Sequence, residues 1–392
     1  MEGRPDTDTG PSRRGLPLGL LGAVVLIVAA ETAVFGPHDA PASFIAASWR
    51  EAHRAAGQEA AAAGGGLLCF GDSQVKAGLL PAVLAQRLGR PAYNLAVVGG
   101  QPAASEALLR RALRAGARPS ALVVGYYPGL LASDLRINTG LWPEVLGLRG
   151  CLALIVETAD TRNAGPLLAR AVLPSLRRRE DIHAAILAAL PGGTNASRDE
   201  ARAFRRNWRV NAGAHALPAG HAYSDDPRLI EHGDRWECRP EHVRSIRRFL
   251  ALAASREVPV FWVLPTSAPG LAGARLSDGR DAAYDRFLTQ LQAGFPGLTV
   301  IDPRRALIDP SAFSDACHLD RAGAVALSLA MADALSGPLS SPGASRRLIL
   351  PAAAVSTRIG QNWALEDVGQ SAVALRERRP ETVATAPAAM RR

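Results

Sequence analysis

The stretch Leu67–Pro81, LLCFGDSQVKAGLLP, runs from an uninterrupted apolar segment into glycine, aspartate and serine, then resumes apolar residues at helical spacing. An unbroken apolar run of this length fits a strand buried on both faces, and the change of period that follows marks a strand-to-helix turn at Gly71, Asp72 and Ser73. Open α/β sheets hold their ligands at such turns, where strand ends meet helix starts. Two readings of the triplet follow. Either Asp72 or Ser73 caps the next helix, or Ser73 presents a nucleophilic hydroxyl.

Outward from this stretch the chain alternates. GLLCF, AYNLAVV and SALVVGYY read as strands, separated by the helices GLLPAVLAQRLG and PAASEALLRRALRAG; in the second helix Ala104, Leu108, Leu109 and Leu113 share a face and Arg110, Arg111 and Arg114 point away. From about Pro128 to Cys238 the alternation pauses. Helix-like patches divided by Gly and Pro replace it, with no clear strand, so 128–238 is expected to be a mostly helical insertion. The alternation returns with PEHVRSIRRFLALAASRE, VPVFWVLPT, GRDAAYDRFLTQLQAG, LTVID and DRAGAVALSLAMADALSG. Helices between successive strands predict right-handed crossovers and a parallel sheet of about five strands in an α/β sandwich.

The flanks differ in character. Residues 1–14 form a short polar segment, and Arg13 and Arg14 precede an uncharged stretch beginning at Gly15 that reads on to Phe35 across Glu31 as a transmembrane anchor or a signal peptide. Either reading puts the rest of the chain outside the cytoplasm, since positive charge stays inside. Residues 36–65 are expected to be a linker with one short amphipathic helix. Residues 338–392, rich in Ser, Pro, Ala and Arg, are expected to be a mostly disordered basic tail.

Net charge of +9 over 392 residues invites a nucleic-acid reading, but Lys76 is the only lysine and part of the excess lies in the last fifty residues, where eight arginines face four acids. No phosphate loop or zinc-finger spacing accompanies it, so no nucleic-acid partner is expected. Cys69, Cys151, Cys238 and Cys317 form no CxxC pair, which argues against a metal cluster; one bridge, Cys151 to Cys238, stays open. His215, His221, His232 and His242 have no metal-ligand spacing. Lys76 is read as a residue of a solvated face, or else as a contact for an anionic substrate, and Cys317 as packing.

A serine nucleophile needs a base and the base an orienting carboxylate. FSDACHLDRAGA supplies Asp315 and His318 three residues apart, just before the last helix. These blocks resemble those of the SGNH hydrolases, the GDSL-like esterase and acyltransferase superfamily, over roughly residues 65–337. Gly71-Asp72-Ser73 with Gly78 and Leu79 matches the first block, although Gln74 replaces the family's leucine. Asn94 and Gly99 match the second, and Asp315, His318, Leu319 and Gly323 the last. The third departs: Tyr127, in VVGYYPG, stands where the family has an asparagine. The resemblance implies a flavodoxin-like three-layer α/β/α sandwich, with Ser73 as nucleophile, His318 as base and Asp315 as its partner. It further implies an oxyanion hole from the N–H groups of Ser73 and Gly99, with the Tyr127 phenol as a substitute donor, and no metal or cofactor. The expected function is a serine esterase acting on O-acyl esters, acylated cell-envelope glycans among them. The alternatives are an O-acyltransferase modifying such polysaccharides and a degenerate glycan-binding or scaffold domain.

Overall fold

Short apolar runs assemble into one sheet whose four central strands are buried along their whole length. The computed structural model describes residues 18–35, 43–62, 64–190, 195–218, 236–306, 309–340, 346–351, 363 and 365–377. Its strands are β1 (Leu67–Gly71), β2 (Ala92–Asn94), β3 (Ala121–Gly125), β4 (Val260–Val263), β5 (Leu298–Asp302) and β6 (Arg347–Ile349). All pair in parallel, in the order β2-β1-β3-β4-β5-β6. The order runs one way from β1 to β2 and the other way from β1 to β6, so a crevice opens at the ends of β1 and β3, where such sheets bind ligands.

Around the sheet pack helices α1 (Phe44–Gly57), α2 (Ser73–Gly78), α3 (Pro81–Leu88), α4 (Pro102–Arg114), α5 (Trp142–Thr158), α6 (Ala196–Val210), α7 (Pro240–Ala254), α8 (Arg280–Gly294), α9 (Arg321–Ser340) and α10 (Val368–Glu377). Alternate strand residues feed two separate clusters. Leu68, Phe70, Val124, Trp262 and Val300 meet α1, α4, α7 and α8 on one face. On the other, Cys69, Val123, Phe261, Val263 and Ile301 meet α2, α3 and α9. Two apolar clusters divided by one sheet are consistent with three layers. Helix α9 is long and apolar enough to cross a membrane by length and composition, but 67% of its Arg321–Leu339 window is buried in the second cluster. A helix apolar all round is what an enclosed position requires.

The ends of β1 and β3 touch main chain to main chain. Gly71 pairs in register with Gly125 and takes φ +137°, and a Cβ there would collide with the Gly125 carbonyl. Only glycine meets both conditions.

Three expectations need correction or refinement. The segment expected as a linker contributes α1 to the body of the fold: Trp49 is fully enclosed and meets Trp142 edge-on at 5.2 Å. The region expected to be a disordered tail supplies β6, so the sheet has six strands rather than about five, and α10, which packs on α6. There Glu366 accepts two bonds from Arg206, at 2.6 and 2.8 Å, and its carbonyl accepts from Asn207 and Asn211. The third concerns cysteine: all four are free thiols, so the Cys151–Cys238 bridge is absent. Both thiols instead lie in the first apolar cluster, in a core large enough to need no covalent staple. Among the described residues of 128–238, helices occur and strands do not.

Removing residues 341–392 uncovers the edge of β5 and one face of α6, and takes away the buried Leu350 and Leu365. The expected outcome is a loss of at least about 3 kcal/mol of unfolding free energy, since two buried leucines alone carry about that much. Urea denaturation of the full and shortened chains measures it; a disordered tail would leave the midpoint unchanged.

Candidate active site

The two readings of the Gly-Asp-Ser turn fall on different residues. Asp72 caps α2, its Oδ1 accepting the Gln74 N–H at 2.9 Å, while its Oδ2 accepts the Tyr127 N–H at 2.6 Å from beyond β3. Burial pushes its carboxyl up to about 6, and the N–H groups of Tyr127, Gln74 and Val75 pull the other way. With the cap assigned to Asp72, the Ser73 hydroxyl is left at the head of the helix, half-buried and directed to the crevice.

The partner comes from the loop between β5 and α9. A bridge between Phe313 and Leu319 and a 2.8 Å bond from the Ser314 N–H to the His318 carbonyl close this loop on itself. Inside it, Asp315 Oδ1 accepts the N–H groups of Cys317 and His318, each at 2.8 Å. Its other oxygen lies 2.8 Å from His318 Nδ1. His318 Nε2 lies 2.8 Å from Ser73 Oγ, across 245 positions of chain. The carboxylate thus fixes both the loop and the ring. Gly323 lets α9 begin against the same loop, because a Cβ there would strike the Ala312 carbonyl.

Protonation follows from these contacts. Burial opposes charge on His318, but the hydrogen bonds to Asp315 and Cys317 and the Asp315 charge hold the ring well above the ordinary histidine value of 6.5. Burial likewise opposes ionisation of Asp315, and the His318 contact outweighs it, bringing the carboxyl down to about 2. The ring therefore holds its proton more tightly than a free histidine does, beside an ionised Asp315, and it accepts a proton only once it has lost its own.

The second sequence block is held by residues outside any block. The Val98 N–H donates to Ser48 Oγ at 3.0 Å and the Val98 carbonyl accepts Trp49 Nε1 at 2.9 Å, both from α1. A trans peptide points its C=O and N–H in opposite directions. Holding the Val98 carbonyl therefore aims the Gly99 N–H away from Trp49. Asn138 Nδ2 holds the Gly99 carbonyl at 2.9 Å. Neither the Ser73 nor the Gly99 N–H has a main-chain acceptor among the described residues. Asn94 spends its side chain on structure, donating to the carbonyls of Val75 and Leu79 and accepting from Ala96. Gln74 bridges the two halves of the site, its Nε2 donating to the Cys317 carbonyl at 3.1 Å and the Thr266 carbonyl at 3.4 Å. Tyr127 gives its N–H to Asp72 and lays its ring against Leu271, Ala316 and Cys317, beneath Arg275.

Lys76 is not on a solvated face. It is 2% exposed, donates to the carbonyls of Ala96 and Gly213 at 3.0 and 2.9 Å, and lies 4.6 Å from the Trp208 ring centre. The insertion's return past α2 covers it, and burial lowers its pKa to about 7. His215 sits beside it, its N–H on the Lys76 carbonyl and its ring edge-on to Phe204, held neutral by burial and by the Lys76 and His318 charges. His242 is enclosed elsewhere, between Gln101 and the Ser133 carbonyl; His221 and His232 lie outside the described residues. Cys317 is packed, with its Sγ 3.4 Å from His318 Nδ1. Comparison of the chain with protein-family models and with curated proteins finds no match.

Two outcomes test this geometry. If His318 serves Ser73 as its base, the ring must be neutral to act, and kcat/KM for a chromogenic ester is expected to rise with pH through a value above 6.5. In Asp315→Asn the carboxylate's pull on the ring proton is lost and only Cys317 still opposes burial, so that limb moves to lower pH while the plateau falls about 10³–10⁴-fold. In Trp49→Phe the ring packing stays and the donor to Val98 goes. We expect kcat to fall by about tenfold or more, short of the hundredfold to thousandfold for deleting an oxyanion donor, with the pH limb unmoved.

Proposed function

We propose that this chain is a serine-dependent esterase of SGNH type with a flavodoxin-like core, cleaving O-acyl esters outside the cytoplasm. The observation that carries the reading is the line Ser73 Oγ, His318 Nε2, His318 Nδ1, Asp315 Oδ2, whose two donor–acceptor separations are both 2.8 Å. His318 takes the Ser73 proton as the hydroxyl attacks the ester carbonyl. The N–H groups of Ser73 and Gly99 receive the developing oxyanion, and His318 returns the proton to the leaving alcohol. Water then releases the acyl group from Ser73 by the same route.

The substrate class we infer is an acylated glycan of the cell envelope. The apolar stretch 15–35, helical over Leu18–Phe35 with Val25, Leu26 and Ile27 open to solvent, supports a membrane-anchored chain facing the periplasm or exterior. Transfer of the acyl group to a sugar hydroxyl is a second reading. It is favoured by the insertion, whose buried segment around Gly213 and His215 is bonded directly to Lys76 of the nucleophile helix and so brings the insertion next to the site.

A fluorophosphonate probe tests the proposal on the full-length chain. The expected result is a label on Ser73 that is lost in His318→Ala, with hydrolysis of p-nitrophenyl acetate falling at least about a thousandfold in Ser73→Ala. Acceleration of acyl release by a glycan acceptor assigns transfer rather than hydrolysis. Absence of any label leaves a binding domain and overturns the enzyme reading.

A further inference from the structure

Cys317 takes no part in the proton path just described, yet its sulfur stands at the hydrogen bond on which that path depends. Cys317 Sγ is 3.4 Å from His318 Nδ1, and His318 Nδ1 is 2.8 Å from Asp315 Oδ2. The three ligand atoms lie within 4.8 Å of one another. With Zn–S near 2.3 Å and Zn–N near 2.0–2.1 Å, the edge of a tetrahedral zinc site is about 3.5 Å, close to the sulfur–nitrogen separation present. The set is also chemically fit: thiolate, imidazole and carboxylate suit a thiophilic dication and not magnesium. Access is from the carboxylate side, where the Asp315 side chain is 46% exposed, whereas Cys317 at 8% closes the inner wall.

We propose that Cys317, His318 and Asp315 form an inhibitory site for Zn²⁺, with water in the fourth position. Starting from the neutral ring protonated at Nδ1, the metal takes the Nδ1 lone pair, the Asp315 Oδ2 lone pair and the Cys317 thiolate. The thiol proton leaves to solvent, and the ring proton moves from Nδ1 to Nε2 by way of solvent. The balance is one proton released for one zinc bound from the neutral ring and two from the protonated ring, so binding tightens as pH rises. An Nε2–H donates to Ser73 Oγ where the reaction needs an acceptor, so the hydroxyl loses its base. The carboxylate that oriented the ring is occupied by the same ion. Zinc therefore switches the site off without touching the serine. The inhibitory consequence rests on the esterase reading; the metal site itself does not.

The test uses the full-length chain in detergent. The p-nitrophenyl acetate rate is followed against Zn²⁺, with Mg²⁺ as the hard-cation control, and Co²⁺ is titrated separately for its thiolate charge-transfer absorption. Zinc is expected to inhibit and magnesium not. Cys317→Ser should raise the half-inhibiting zinc concentration by more than about tenfold, the scale on which even an outer-shell partner counts, and abolish the cobalt band. Asp315→Ala, which keeps the thiol, should weaken cobalt binding by a similar factor. Equal zinc sensitivity in Cys317→Ser, or a cobalt band that survives it, overturns the site. If the chain hydrolyses no ester at all, the esterase reading fails, and the cobalt titration alone still decides whether the metal site exists.

Discussion

Asp72 puts a carboxylate inside the fold with no side chain of opposite charge bonded to it, and main-chain N–H groups from two different loops keep it there. An unpaired buried charge is costly, and this one is held because the amides of Tyr127 after β3 and of Gln74 and Val75 at the head of α2 converge on it, with the His318 charge adding to them. The close approach of Gly71 to Gly125 makes the convergence possible by bringing the ends of β1 and β3 within main-chain contact. Everything that gives Ser73 its direction follows from this knot. The cap is supplied by its neighbour, so its own hydroxyl is left to His318.

A division of labour runs through the rest of the site. Residues of the four sequence blocks meet one another, while residues outside them hold the blocks in place. Ser48 and Trp49 fix the Val98 peptide and Asn138 fixes the next carbonyl, while Gln74, the departure within the first block, ties the serine helix to the histidine loop. On the esterase reading, the donors that matter most are main-chain groups, and side chains act by aiming them. Tyr127 fits this pattern, since its recorded bond to the knot runs through the backbone and its ring packs against the histidine loop.

The parallel sheet and the meeting of Ser73 with His318 and Asp315 were legible in the sequence because each rests on local signals: unbroken apolar runs, a glycine-rich turn, a carboxylate three residues before a histidine. What escaped notice rests on long-range burial. Strand β6 is three residues long, with Arg347 and Ile349 exposed, so it carries neither an apolar run nor a period. Helix α1 is rich in alanine and reads as a spacer, although Ala47, Trp49 and Ala56 are fully enclosed. Lys76 lies on a helix of six residues, too short for a pattern to show which side is covered, and the cover comes from Gly213 and Trp208 far along the chain. Trp49 could have been found by its chemistry alone: the lone tryptophan of an alanine-rich helix wants a wall to pack on and an acceptor for its indole N–H.

The 245 positions between Ser73 and His318 have a consequence for how the molecule comes into being. On the esterase reading, a nascent chain leaving the ribosome presents its nucleophile early and its base late, and between them must emerge the whole insertion and four strands. The sheet is closed at its edge later still, by β6, and the insertion is clasped last, by α10. Local contacts reward folding of the first βαβ segment at once, but the long loop must be closed before any proton can be shared across the crevice. On the esterase reading, reactivity is thereby the final property the polypeptide acquires, and a half-made copy is chemically silent.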